Sequence, residues 1–219
     1  MSFLPKQPSQ PRDAATVVVL RDAGRGIELY LVKRSRTVDF MAGAHVFPGG
    51  RLDEADGSME ACAVRETFEE AGLRLDAAAL VPWVRWVTPE ISPKRFDARF
   101  FLTRMPEGQE PKVDGHEATE GLWISPAAAL EQWMSGQMQL APATAKSIDV
   151  LAAFDTVAKA LSAAADRPPP VVMPIVWNDG GRAYISLPGD PRHLMPDVLG
   201  GTIFRIQLEA GRYRPVKAA

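Results

Sequence analysis

Glu66, Glu69 and Glu70 stand at positions i, i+3 and i+4. On a helix this spacing places three carboxylates on one face. With Glu66 at the origin, a step of roughly 100° per residue puts Glu69 near −60° and Glu70 near +40°. Like charges this close repel unless a cation neutralises them. Hard divalent ions such as Mg²⁺ take oxygen ligands and are often shared with substrate phosphates. A solvated acidic face would show the same spacing, so the neighbouring residues decide the reading. Two glycines follow a proline in Val46-Phe-Pro-Gly-Gly50, which permits close backbone approach, and Arg65 directly precedes Glu66.

These residues need elements to hold them. Ser58 to Ala71 predicts a helix, with Ala61, Val64, Phe68 and Ala71 as an apolar stripe opposite the glutamates. Gly72 is its C-terminal stop. Upstream, Ala15–Leu20 and Ile27–Val32 predict a hairpin of strands across Asp22–Gly26, and 34–45 reads as irregular. Downstream, 81–88 and 96–103 predict strands, 121–124 a short strand and 126–134 a short helix. Residues 143–164 predict one longer helix. After Arg167-Pro-Pro-Pro170, strands at 171–177 and 183–187 flank Asn178-Asp-Gly-Gly-Arg182, a hairpin signal, and 202–208 predicts one more strand.

Length and composition bound the whole. At roughly 150 residues per domain, 219 residues make one body with a small appendage. The division expected is a flexible arm at 1–13, a mixed α/β body at 14–166 and a Pro-led β-rich extension at 167–219. The extension is expected to pack on the same body; covering a neighbour's site in a homodimer is the other arrangement. A net charge of −2 gives no broad basic field, which disfavours nucleic acid as partner. The single cysteine, Cys62, excludes an intramolecular disulfide and any multi-cysteine metal site, and it reads as a packed residue. No run approaches the ~18 apolar residues that span a bilayer, and the first twelve residues lack a signal-peptide core. The expectation is a cytoplasmic protein with no membrane partner.

The stretch from Gly50 to Leu73 resembles the Nudix box, the signature of the Nudix hydrolases. The pattern G-x5-E-x7-R-E-U-x-E-E-x-G-U, with U a bulky aliphatic residue, is met by Gly50, Arg65, Glu66, Glu69, Glu70, Gly72 and Leu73. Asp56 stands at the first glutamate position, eight residues rather than seven separate it from Arg65, and Thr67 stands at an aliphatic position. Further segments are similar to the coenzyme A diphosphatase branch, its peroxisomal members especially: Phe40–Gly50, Arg65–Gly72, Trp86–Pro89, Arg95-Phe-Asp97 with Phe100-Phe101, and Leu187–Asp190. In the related R-S-x3-R motif, which begins at Arg34-Ser35, the second arginine position holds Asp39.

The resemblance implies an α/β Nudix fold, a mixed sheet sandwiched between helices, here with a C-terminal β-hairpin. It implies Mg²⁺ or Mn²⁺ held by Glu66, Glu69, Glu70 and the Gly49 carbonyl, with Arg65 orienting the glutamates. The general base would be Glu66 or Glu69, or a later-loop glutamate, Glu117 or Glu120. Gly50, Arg34, Arg95 and Phe96 are the substrate-binding candidates; Trp86 reads as strand packing and His45 as a loop-ordering residue. The implied reaction is hydrolysis of a nucleoside diphosphate linked to another group, with coenzyme A or an acyl derivative leading. ADP-ribose or another nucleoside diphosphate derivative is the alternative, and a non-catalytic ligand-sensing or protein-binding module is the alternative of another class.

Overall fold

The computed structural model describes residues 9–35, 41–113 and 115–216. Most of the expected arm, Asp39 and Phe40 lie outside these residues. The last two positions expected in the arm are ordered, because β1 runs from Arg12 to Ala23. It continues as a hairpin into β2 (Gly26–Arg34), closing where Ala23 faces Gly26.

The centre of β1 is apolar without alternation because both of its faces are covered. Ala15, Val17 and Val19 pack with Met59, Cys62 and Ala63 of α1 (Met59–Ala71) on one side. Val18 and Leu20 pack on the other side with residues of α2 (Pro126–Ser135), α3 (Pro142–Leu151) and α4 (Val157–Ala165). Burying each of the valines and the leucine is worth roughly 1.5–3 kcal/mol.

The remaining strands of the main sheet are β3 (His45–Val46), β4 (Gly49–Arg51), β5 (Val81–Val87), β6 (Phe96–Arg104), β7 (Ala118–Ile124) and β8 (Val171–Val172). Among the described residues the order is β3-β2-β1-β6-β5-β8, with β4 also on β1 and β7 also on β2. The β1–β6 and β5–β8 pairs are parallel, so the sheet is mixed. The architecture is the expected one of a mixed sheet between helices. The two-residue β3 and three-residue β4 carry too little pattern to read from sequence.

One expectation is corrected. The helix predicted over 143–164 is two, α3 and α4, broken at residues 152–156. Thr156 caps α4, accepting from the Lys159 N–H, and Asp22 Oδ1 accepts from the Val157 N–H at 2.7 Å. A threonine cap and a carboxylate reaching across 135 residues overrule the run of helix formers. The expected C-terminal hairpin is present as β9 (Ile175–Asp179) and β10 (Arg182–Ser186), and β11 (Arg205–Glu209) and β12 (Arg212–Pro215) extend it to a four-stranded antiparallel sheet in sequential order.

The C-terminal sheet shares the main core: Leu187, Leu199, Ile203 and Ile206 are buried with Ile148 and Leu151 of α3. Asp149 on α3 accepts from the Thr202 N–H and hydroxyl, both at 2.8 Å, and from the Ile203 N–H at 2.9 Å. Lys146, fully buried, faces the same carboxylate at 3.3 Å and stacks over Phe204.

Candidate active site

The glutamate helix begins and ends as its sequence directs. Ser58 accepts from the Ala61 N–H, and Gly72 ends α1 in the left-handed region at φ 67°. Its buried face differs from the expected stripe. Met59, Cys62, Ala63, Thr67 and Glu70 are buried, while Phe68 is 43% exposed. Glu70, and in part Glu66, therefore share the inward side with the apolar residues rather than opposing it, while Glu69 is exposed. Stripe and carboxylates overlap because small residues line this face: Cys62 and Ala63 leave depth for Glu66 and Glu70. Thr67 fits the same face because its hydroxyl donates to the Ala63 carbonyl at 2.7 Å, so no polar atom is stranded.

Arg65 organises the carboxylates. Its Nε and Nη2 hold both oxygens of Asp56 at 2.7 and 2.8 Å. Its Nη1 donates to Glu66 at 2.8 Å and to Glu69 at 3.0 Å. Nη2 also meets the Arg51 carbonyl at 3.1 Å, which ties the helix to β4. The longer spacing from Asp56 to Arg65 is absorbed in the loop before the helix: Asp56 accepts from the Asp53 N–H, and Gly57 takes φ 70°.

The two glycines of β4 do different work. Gly50 pairs with Ala15 and Gly49 with Thr16 of β1. A side chain on Gly50 would overlap the Glu66 carboxylate, so its absence makes the room that carboxylate occupies. At Gly49 (φ 155°) a side chain would strike the Ala15 backbone oxygen. The Gly49 N–H donates to Glu70 at 3.0 Å.

Burial sets the electrostatics. It pushes Glu70 up to about 7, against the opposing pull of the Gly49 N–H and Arg34, and it raises Glu66 as well. Asp56 is drawn down to about 2, chiefly by its hydrogen bonds from Arg65. Cys62, buried beside Asp56 and Glu66, is pushed up to about 12, which excludes a thiolate nucleophile.

As the side chains stand, no three metal-ligating groups converge on one point among the described residues; Arg65 instead bridges Glu66 and Glu69. The donor chemistry nonetheless fits a hard divalent cation. All donors are oxygens, and added positive charge would favour the ionised form of the buried Glu70 and the half-buried Glu66, both raised by burial.

The comparisons with known proteins agree with this geometry. The NUDIX domain family model matches residues 10–144, more than half of the chain. The chain belongs to the Nudix family. A Caenorhabditis elegans protein named nudix hydrolase 7 is 28% identical over 178 residues, covering 63% of this chain and 59% of that protein. An acyl-coenzyme A diphosphatase of Homo sapiens is 25% identical over 268 residues, covering 70% and 72%. The chain thus spans about three fifths of the first relative's length and somewhat more of the second's. The crystal structure of a NUDIX hydrolase from Alicyclobacillus acidocaldarius superposes with a TM-score of 0.63 at 28% identity, covering 70% of this chain and 96% of that one.

On this Nudix scaffold the other expected residues separate into two groups. Arg34, at the end of β2, lies 3.8 Å from Glu70. Glu117 precedes β7, near enough that its charge raises both Glu66 and Glu70. Arg95 is buried, with Nε on the Thr88 carbonyl at 3.0 Å, Nη1 on the Ser9 carbonyl at 2.8 Å and Nη2 toward Met173. Its guanidinium ties loop to strand, and substrate contact is corrected to a structural role. Phe96 opens β6 with its N–H on Thr88 and pairs with Arg12. Glu120 pairs with Lys33 at 3.2 Å. Trp86 is buried in the core on the opposite sheet face, and His45 is buried in β3 with its N–H on the Gln139 carbonyl. The residue that sequence undervalued is Asp56. The signal was there, a carboxylate one loop before Arg65, but bidentate geometry shows only in three dimensions. No helix among the described residues is long and apolar enough to cross a membrane.

Proposed function

We propose that this Nudix hydrolase is a Mg²⁺- or Mn²⁺-dependent diphosphohydrolase whose substrate is a nucleoside diphosphate linked to another group, with coenzyme A or acyl-coenzyme A leading. The observation that carries the reading is the Asp56–Arg65 clamp holding Glu66 and Glu69 beside the buried Glu70. The similarity to an acyl-coenzyme A diphosphatase supports the substrate class.

In this reading Glu66, Glu69 and Glu70, with the Gly49 carbonyl, would hold the cation. When bound, it supplies charge neutralisation for the phosphoryl oxygens and the departing oxygen. Arg65 holds two of the glutamates in position without touching substrate. Water attacks one phosphorus, the P–O–P bond breaks, and Glu117, whose charge is felt by Glu66 and Glu70, takes the proton. From coenzyme A the products are adenosine 3′,5′-bisphosphate and 4′-phosphopantetheine. Arg34, already facing Glu70, meets a phosphate of the substrate.

The test is a substrate panel with purified protein and Mg²⁺ or Mn²⁺, read by product chromatography, with coenzyme A, acetyl-coenzyme A, ADP-ribose and nucleoside triphosphates. Release of adenosine 3′,5′-bisphosphate, abolished in Glu69→Gln, is expected. Selective cleavage of ADP-ribose would keep the chemistry and discard the coenzyme A branch.

A further inference from the structure

A single row of paired residues crosses the sheet from the glutamates. Gly50 of β4 pairs with Ala15 of β1, Ala15 with Arg99 of β6, Arg99 with Arg85 of β5, and Arg85 with Val171 of β8. Directly paired residues point to the same sheet face. The face is fixed at its first position, where the missing Gly50 side chain would meet Glu66. Arg99 therefore stands on the glutamate side, two strand spacings from Gly50, about 10 Å at roughly 4.8 Å per strand. Helix α1 packs on β1, β4 and β7 but stops short of this part of the sheet: Arg99 is exposed and Val171 is 48% exposed.

The two arginines of the row differ. Arg85 is engaged by both oxygens of Asp97. Among the described residues no carboxylate pairs with Arg99. A long cationic side chain in the middle of an open sheet, beside a cluster of acidic groups but neutralised by none, is placed to receive an anion.

We infer that Arg99 binds a phosphate of the substrate, a specificity contact that the buried Arg95 cannot make. The inference rests on the diphosphohydrolase reading, and two sources of the same chemistry are within its reach: the scissile diphosphate and a monophosphate elsewhere on the nucleoside. Arg99→Ala and Arg99→Lys are compared with wild type on coenzyme A and 3′-dephospho-coenzyme A. Arg99→Ala raises KM about 10- to 100-fold, the worth of a charge-assisted hydrogen bond. It leaves kcat within about twofold and, for an exposed side chain, Tm unchanged. Arg99→Lys recovers part of the loss. Equal loss on both substrates identifies the diphosphate; loss on coenzyme A alone identifies the 3′-phosphate. Unchanged KM on both overturns the inference. Binding is measured separately by calorimetry with adenosine 3′,5′-bisphosphate and AMP in Mg²⁺, so absence of turnover overturns only the functional reading. If wild type binds neither nucleotide, or Arg99→Ala binds both as wild type does, the inference itself is overturned.

Discussion

Arg65 grips Asp56 with two nearly parallel hydrogen bonds, Nε to Oδ1 at 2.7 Å and Nη2 to Oδ2 at 2.8 Å. This pair fixes the plane of the guanidinium, and the one remaining nitrogen, Nη1, then reaches Glu66 and Glu69. Asp56 thus acts on the glutamates through Arg65. Asp56→Ala is expected to lower kcat/KM about 10- to 100-fold, the range for losing the support of a metal ligand. Asp56→Glu recovers part of it, and Mn²⁺ titration shows weakened binding in Asp56→Ala. Full activity in Asp56→Ala would remove the clamp from the account.

The same pair makes an acid-side signature. Asp56 sits at about 2 when folded, against an unfolded value near 3.9. Its contribution is fully present above about pH 4 and is lost as pH falls through 2, because the unfolded chain binds the proton first. Tm of wild type should decline over that window, and Asp56→Asn should flatten the decline. Parallel curves for the two proteins would contradict the pairing.

The adjacent glycines should fail in opposite ways. Gly50→Ala pushes against the end of the Glu66 side chain, which can rotate away. Tm is expected to change little while kcat falls about 10-fold or more. Gly49→Ala pushes against backbone at Ala15 and is expected to cost about 2 kcal/mol or more in stability. Thermal unfolding and kinetics of the two variants together check this contrast; an unstable Gly50→Ala or a fully active one would contradict it.

The C-terminal sheet hangs on Asp149. Asp149→Ala leaves Lys146 buried without its partner and strands the Thr202 and Ile203 N–H groups. A loss of about 3–5 kcal/mol is expected. Chemical denaturation measures it, and a loss below about 1 kcal/mol would show that the clamp is dispensable.

Much of this was legible from residues alone. The helix with its Ser58 cap and Gly72 stop, the Arg65 and glutamate spacing, and the mixed sheet all follow from local pattern. What was not legible depended on distant partners. Asp22 interrupts the run of helix formers at Val157 from another strand. The face of α1 was misjudged because Phe68, the largest apolar residue, points outward and partners Arg74. Arg95 and Arg99 stand four residues apart, and only the folded chain shows that the first is buried and the second exposed. β12 was missed because Arg212–Pro215 lacks an apolar pattern; pairing with β11 makes it a strand.

The most direct measurement is product chromatography after incubating coenzyme A with wild type, Glu66→Gln and Glu69→Gln, each with and without Mg²⁺ or Mn²⁺. Wild type should release adenosine 3′,5′-bisphosphate only when metal is present, and both variants should lose at least about 100-fold in rate. Release that is independent of metal, or that survives both substitutions, would contradict the assignment of the glutamates as the metal-holding centre of this hydrolase.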